Sequence, residues 1–410
     1  MDTSVGHILG SVDRHGELAR HSIAEMTGLT RATVSKAVRV LLEKGLVFET
    51  ERTQASSRGG PRPILLTINP RALSFVGLDI RREKITGALI DLRGAMMAST
   101  SRRLQIGVPT KIILDAIDSI LSELASASES PTAGIGIGSV GPIVPQKGML
   151  RSRHFTELNG VPLVERLEQA WGVSVDLQIG AVAAAHGEER LMRTPDYLPR
   201  SIAFVVIDYA GIGLGLTSGG EGWITEHGGV GELGHVSIDM NGRPCSCGRK
   251  GCLVQYASGR ALLQELKADL SEDAGAVLSR VAERAREGES LARESLLEAG
   301  EYLGHGLVDV DRLLRPEHVV IGASHDFMAD WYLKGASRYI GRLPEAADER
   351  RLSDRLHVAS MGSTAIAYGA AALQLKKFLH APGGIIDRMP LIARDQPASQ
   401  ETSFPFAGGI

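Results

Sequence analysis

The segment Glu232–Cys252, ELGHVSIDMNGRPCSCGRKGC, holds all three cysteines of the 410-residue chain, spaced H-x9-C-x-C-x4-C when counted from His235. One imidazole and three thiols, from His235, Cys245, Cys247 and Cys252, make a complete tetrahedral donor set for Zn2+. Gly242, Gly248 and Gly251 permit the tight turns of a metal knuckle. With no other cysteine in the chain, pairing elsewhere is excluded, and zinc is a better reading than three buried thiols beside a core histidine. A closed set of one histidine and three cysteines leaves no position for water, so the expected Zn2+ is structural, holding a loop in place. A liganding His235 keeps its second ring nitrogen, and Glu232 stands three residues before it. These two side chains either bind a ligand or only support the knuckle, and both readings stay open at this level.

A chain of 410 residues exceeds one ordinary core, so two or three domains are expected. Its 43% hydrophobic and 23% charged residues describe a soluble globular protein, with small residues, 48 glycines among them, taking the place of aromatics at only 4%. Cysteines that read as metal ligands suit a reducing compartment. The opening MDTSVGHILGSVDRHG has neither a secretion pattern nor a spanning segment, so a cytoplasmic protein without a membrane partner is expected.

The net charge of −3 argues against a chain that coats nucleic acid throughout. Its distribution says more. Arg31, Lys36, Arg39 and Lys44 form one basic group, and Arg52, Arg58, Arg62 and Arg71 form another, which together mark a basic module on a neutral body. SIAEMTG (Ser22 to Gly28) reads as a short helix ending at a turn glycine. TRATVSKAVRVLLEKG then reads as a second helix, capped by Thr30 and buried through Val34, Ala37, Val38, Leu41 and Leu42. Arg31, Thr33, Ser35, Lys36 and Arg39 fall on its other faces, so Thr30 to Lys44 is the expected groove-reading helix of a helix-turn-helix. LVFET and ILLTI flank a tip carrying Arg58 and Arg62, a hairpin wing whose arginines suit phosphates or the minor groove. Residues 1–69 are therefore read as a winged helix-turn-helix that binds a double-stranded DNA operator.

From Phe75 the texture changes to short apolar runs alternating with helices: FVGLDI, ITGALIDLRG, KIILDAIDSILSELAS, AGIGIGSVGPIV, then VSVDLQI, AVAAAHGEERLM, SIAFVVIDYAGIGLGLTSGG and HVVIGAS. This pattern predicts an α/β domain over residues 70–377, with two related lobes around a cleft. Residues 378–410 lose periodicity and gain Pro, Gly and Ser, and are expected to be a poorly packed tail.

VGLDI with ITGALIDLRG, GIGSVGPI, GIGLGL, GGVGELGHVSID, CSCGRKGC and GSTAIAYGAAAL together resemble the ROK family of repressors and sugar kinases over nearly the whole chain. GELGH followed by CxCGxxGC is the most specific block. The winged module makes the chain similar to the family's transcriptional regulators of the xylose-operon and N-acetylglucosamine-operon type. The resemblance implies a bilobal actin-like, hexokinase-type body, a sugar-like effector between the lobes, contacted by Glu232 and His235, and a homodimer or homotetramer.

Three departures from the family pattern bear on activity. Where its kinases carry Asp-x-Gly-Gly-Thr, this chain has Asp79, Ile80, Arg81, Arg82 and Glu83, so the backbone cradle for ATP phosphates is missing. Where they carry Asn-Asp-Ala-Asn, it has Ile179, Gly180, Ala181 and Val182, with no general base. Where their zinc block continues Cys-Leu-Glu, it has Cys252, Leu253 and Val254, losing one sugar contact. The expected function is a DNA-binding regulator, of repressor type, with no catalytic residues and a kinase-like domain that senses a small molecule or serves in oligomerisation. A sugar kinase with an appended DNA-binding domain is the alternative.

Overall fold

The computed structural model describes residues 2–51, 64–152, 155–225, 231–269, 273–343 and 352–389. The chain divides into two units, Met1–Asn69 with Phe378–Ile410, and Pro70–Lys377.

The first unit starts earlier than the sequence reading placed its helices. Helix α1 (Asp2–His15) buries Val5, Ile8, Leu9 and Val12, one face of a 3.6-residue period. A short strand β1 (Glu17–Ala19) leads into α2 (Arg20–Thr27), which ends at Gly28 in the left-handed conformation, φ 68°. Helix α3 (Arg31–Glu43) follows. Its Thr30 cap is in place, with the Thr33 N–H donating to Thr30 Oγ1 at 3.2 Å. Val34, Ala37, Val38 and Leu41 are buried, while Leu42 at the stripe's margin is only half-buried. Strands β2 (Val47–Glu51) and β3 (Ile64–Ile68) pair antiparallel, Val47 opposite Ile68, and β1 lies on the other side of β3. Arg52, Arg58 and Arg62 of the wing tip lie outside the described residues.

The second unit is built on two five-stranded sheets. The first comes from β4 (Ser74–Ile80), β5 (Lys84–Asp91), β6 (Met96–Arg103), helix α4 (Thr110–Ser126), β7 (Thr132–Ser139), a two-stranded flap of β8 (Ile143–Val144) and β9 (Met149–Leu150), helix α5 (Leu163–Trp171) and β10 (Ser174–Ile179). Its order is β10-β7-β4-β5-β6. Helix α6 (Gly180–Met192) leads to the second sheet, formed by β11 (Ser201–Ile207), β12 (Ile212–Ser218), β13 (Glu221–Gly222), and, after helices α7 (Val254–Ala257), α8 (Gly259–Glu265), α9 (Ala274–Arg286) and α10 (Ser290–Leu314), by β14 (His318–Ala323) and, beyond α11 (Asp326–Ile340), β15 (Leu356–Val358). Its order is β13-β12-β11-β14-β15.

The two sheets share a plan. β4 runs antiparallel to β5 and parallel to β7, and β11 runs antiparallel to β12 and parallel to β14. Each therefore begins with a hairpin and continues by a crossover, the two-lobe repeat that the strand-turn-strand openings predict. Small residues let helix backbone rest directly on these sheets. A Cβ on Gly77 of β4 would fall 1.9 Å from the Ala367 carbonyl oxygen of α12 (Ala365–His380), and one on Gly136 of β7 would fall 2.0 Å from Ala370 O. This close layering explains how a chain with few aromatics fills its core.

The chain beyond Lys377 corrects the expectation of a poorly packed tail over its described part. Phe378 and Leu379 of α12 and Ile386 of α13 (Gly383–Ile386) are buried, and the Lys44 ammonium donates to the Met389 carbonyl. A Cβ on Gly6 of α1 would fall 2.3 Å from His380 O, so α1 and the C-terminal segment meet at backbone distance. Pro382 caps and Gly383 and Gly384 open the one-turn helix whose Ile386 is buried, so composition hides the periodicity here. Residues 390–410 lie outside the described residues.

Candidate metal centre and nucleic-acid interface

The knuckle is held by backbone before any metal is considered. Glu232 precedes a single 3-10 turn, Leu233–His235, anchored by the buried Leu233 side chain. Ile238 N–H donates to Gly251 O at 2.8 Å, Gly251 N–H to Arg243 O at 2.8 Å and Cys245 N–H to Arg249 O at 2.8 Å, which folds the cysteine loop back onto the histidine turn. The donor atoms of His235, Cys245, Cys247 and Cys252 all lie within 4.8 Å of one another. Cys245 Sγ stands 3.5 Å from His235 Nδ1, and Cys247 Sγ 3.6 Å from Cys252 Sγ. Metal bonds of roughly 2.3 Å to sulfur and 2.0 Å to nitrogen give tetrahedral edges of about 3.8 and 3.5 Å, so the set fits zinc. It also selects Nδ1 as the ligand atom of His235 and leaves Nε2 for another partner.

Protonation of the thiols follows their surroundings. Burial raises the Cys252 thiol, with hydrogen bonds from Cys247 and Cys245 adding to it, up to about 12. Burial also works against ionising Cys245, but hydrogen bonds from the Cys247 N–H, Gln255 and the other two thiols outweigh it and bring Cys245 down to about 6. Zinc binding at neutral pH therefore displaces protons from this cluster.

Glu232 and His235 share one turn, His235 N–H donating to Glu232 O at 2.9 Å, with Glu232 exposed and His235 half-buried. Val254 is buried and packs in a small cluster with Cys245 and Cys252. Gly180 opens α6, and a Cβ there would lie 3.0 Å from Ile366 Cδ1, so a larger side chain at this position would press on that isoleucine. Ile179 and Val182 are buried.

The turn after β4 is held by ion pairs. Arg81 Nε donates to Asp79 Oδ2 at 2.8 Å, and its Nη1 lies 3.2 Å from Asp208 Oδ2. Burial raises the Asp79 carboxyl, opposed by Arg81. For Asp208 burial again acts upward, but Arg81 and the Tyr209 N–H overcome it and hold it below the usual carboxylate range. Arg82 is exposed and pairs with Glu157 at 3.5 Å. Asp208 is the site residue that sequence reading missed. The available signal was the likeness of VVIDYAG to VGLDIRR, a strand ending in aspartate at the head of each hairpin.

On α3, Arg31, Ser35, Lys36 and Arg39 are exposed opposite the buried stripe, Thr33 is half-buried, and the Thr30 and Thr33 hydroxyls lie 2.9 Å apart. Lys44, counted with the basic group in sequence, turns instead to the Met389 carbonyl. The four exposed polar side chains line one face of the second helix of a helix-turn-helix, the face that enters a major groove in such motifs.

A winged helix-turn-helix joined to an actin-like sugar-kinase fold, with a histidine-cysteine knuckle in the second lobe, defines a class of chains that couple a DNA-reading module to a kinase-shaped body. The chain belongs to the ROK family, which residues 75–377 match, while residues 1–59 match the MarR family. It is 31% identical over 317 residues to the xylose repressor of Bacillus subtilis (strain 168), covering 77% of this chain and 80% of that one. It is 26% identical over 319 residues to the DNA-binding transcriptional dual regulator NagC of Escherichia coli (strain K12), covering 76% and 77%. Among solved structures, a ROK family transcriptional regulator described as a homolog of the E. coli MLC protein aligns with TM-score 0.74 at 23% identity, covering 94% of this chain and 99% of that one. A ROK family glucokinase from Streptomyces griseus aligns with TM-score 0.61 at 24% identity, covering 73% and 98%, and shares the fold of the second unit.

Proposed function

We propose that this protein is a DNA-binding transcriptional repressor whose kinase-fold unit carries a structural zinc and no phosphotransfer activity. The observation that carries the reading is α3, with Arg31, Ser35, Lys36 and Arg39 exposed on one side and Val34, Ala37, Val38 and Leu41 buried on the other. Thr30 and Thr33 sit at its N-terminal end, and Arg58 and Arg62 are assigned to the wing. Repressor relatives along most of the chain support the same reading. Loss of enzymatic function is supported by Arg81 in the phosphate turn and by Gly180 and Ile366 where a general base would act. Glu232 and the free nitrogen of His235 are assigned to a small-molecule effector of sugar-like size. A homodimer or homotetramer supplies the two reading heads of a pseudo-palindromic operator.

The test is fluorescence anisotropy on genomic DNA fragments against random duplex at moderate salt, with zinc content verified. Selective binding that falls about tenfold or more in Arg31→Ala or Lys36→Ala is expected. Equal affinity for every fragment sinks the repressor reading. Turnover of ATP with any hexose by the same preparation sinks the inactive-kinase part.

A further inference from the structure

Each sheet of the second unit begins with a hairpin, and side chains at the two tips meet. β4 turns into β5 with Arg81 N–H donating to Lys84 O at 3.0 Å, and β11 turns into β12 with Asp208 N–H donating to Gly211 O at 2.9 Å. Asp79 lies just inside the first tip and Asp208 opens the second. We propose that Arg81 is a tethered cation filling a dicarboxylate site made by Asp79 and Asp208, and that it thereby clamps the two lobes together without metal or nucleotide.

The geometry separates this from a local ion pair between neighbours in sequence. Asp79 alone would be served by Arg81 Nε at 2.8 Å, yet the guanidinium also reaches Asp208 in the other sheet, at 3.2 Å and without hydrogen-bond alignment. Tyr209 N–H donates to Asp208 Oδ1 at 2.8 Å and so fixes the carboxylate with Oδ2 turned to the arginine. From behind, Gly259 N–H donates to Asp208 O at 3.2 Å and Arg260 N–H to Tyr209 O at 2.8 Å, so a pull on Asp208 is a pull on α8 and the second lobe. Asp79 is 3% exposed. Two carboxylates drawn together in this setting repel unless a cation stands between them, and removing one partner of such a group is far costlier than never having it. Lysine is no substitute, since one ammonium cannot meet an Nε partner and an Nη partner in the guanidinium plane.

This goes beyond the repressor reading, and its test needs no DNA. Hydrogen exchange of full-length protein is read on the tip remote from each substitution. In Arg81→Ala the amides of Asp208 to Gly211 and of Gly259 and Arg260 should exchange about tenfold faster; in Asp208→Asn those of Arg81 and of Leu104, whose N–H donates to Glu83 O, should do so. The double variant should be no faster than Arg81→Ala alone, and Arg81→Lys should resemble Arg81→Ala. Unchanged exchange at the remote tips, or additive effects in the double variant, overturns the clamp. Should Arg81→Ala fail to fold, Asp208→Asn, which leaves the Arg81–Asp79 bond intact, carries the same test alone.

Discussion

The knuckle and the β4–β5 turn stand in opposite relation to the family they belong to. At the knuckle the chain keeps four donors that meet at tetrahedral distances, so function there is a presence. At the turn it carries Arg81 and Arg82 where the family's kinases carry glycines, and both arginines meet carboxylates. The polar groups of the turn are thus satisfied internally by an ion pair, and the space beside Gly180 is bounded by Ile366.

The largest expected effect tests the half of this comparison that rests on presence. Cys247→Ser removes one of the four donors proposed to hold zinc, leaving His235, Cys245 and Cys252 as an incomplete set. Zinc per chain, measured by elemental analysis, should fall well below one. Loss of about 3 kcal/mol or more should lower the Tm of the second unit by roughly 6–12 °C. Stoichiometric zinc and an unchanged Tm in the variant would mean that the four donors converge for another reason.

Phe378→Ala comes next and addresses the other unit. Phe378 is buried where sequence suggested a loose tail, and truncating a buried phenylalanine costs about 3–5 kcal/mol. Thermal unfolding followed in the DNA-binding unit should show the loss. A shift confined to a tenth of that size would restore the expectation of a poorly packed tail.

What was legible in sequence divides along the same line. The knuckle lies within Glu232–Cys252, so spacing alone exposed it, and α3 was readable because its cap, stripe and charged face repeat within one helix. Asp208 was not, because its partner Arg81 sits in the other sheet and nothing local in IDYAGIG signals a guanidinium. Helix α1 carries the right period in Val5, Ile8, Leu9 and Val12, but Gly6 and Gly10 lie between these positions and weaken the helical signal. The packing of Val254 against Cys245 and Cys252 was not legible either, because a motif gives a residue's position in the chain and not its neighbours in space.

A pH effect sharpens the picture of the second unit's interior. Burial, with the nearby Lys376 and Lys377 charges adding to it, lowers His186 to about 4, and its Nδ1 stands 3.9 Å from Glu189 Oε2. The unfolded histidine titrates near its ordinary 6.5, so between these values the unfolded chain binds more protons than the folded one. Stability from this group is present above about pH 6.5 and is lost as pH falls toward 4, by at most about 3 kcal/mol. Glu188 and Glu189 are raised by burial and act in the opposite sense, so the measurement is a difference. Denaturation of wild type and His186→Gln compared from pH 7.5 to 4.5 should show a shallower acid decline in the variant. Parallel curves would mean that His186 is protonated in place with a local partner.

The smallest expected effect separates two roles that sequence gave to Thr30. Its hydroxyl accepts the Thr33 N–H at 3.2 Å and lies 2.9 Å from the Thr33 hydroxyl, so its structural task is the N-cap of the reading helix. Thr30→Ala should cost about 1 kcal/mol of stability, whereas Thr30→Ser keeps the cap and should cost little. A residue that also holds DNA should lose operator affinity in Thr30→Ala even at a temperature where the variant is fully folded. A residue that only caps should lose stability alone. Unfolding midpoints and operator affinities measured on the same two variants place Thr30 on one side or the other. A stability loss in Thr30→Ser as large as in Thr30→Ala would remove the capping hydroxyl from the account altogether, because serine offers the same acceptor to the Thr33 N–H.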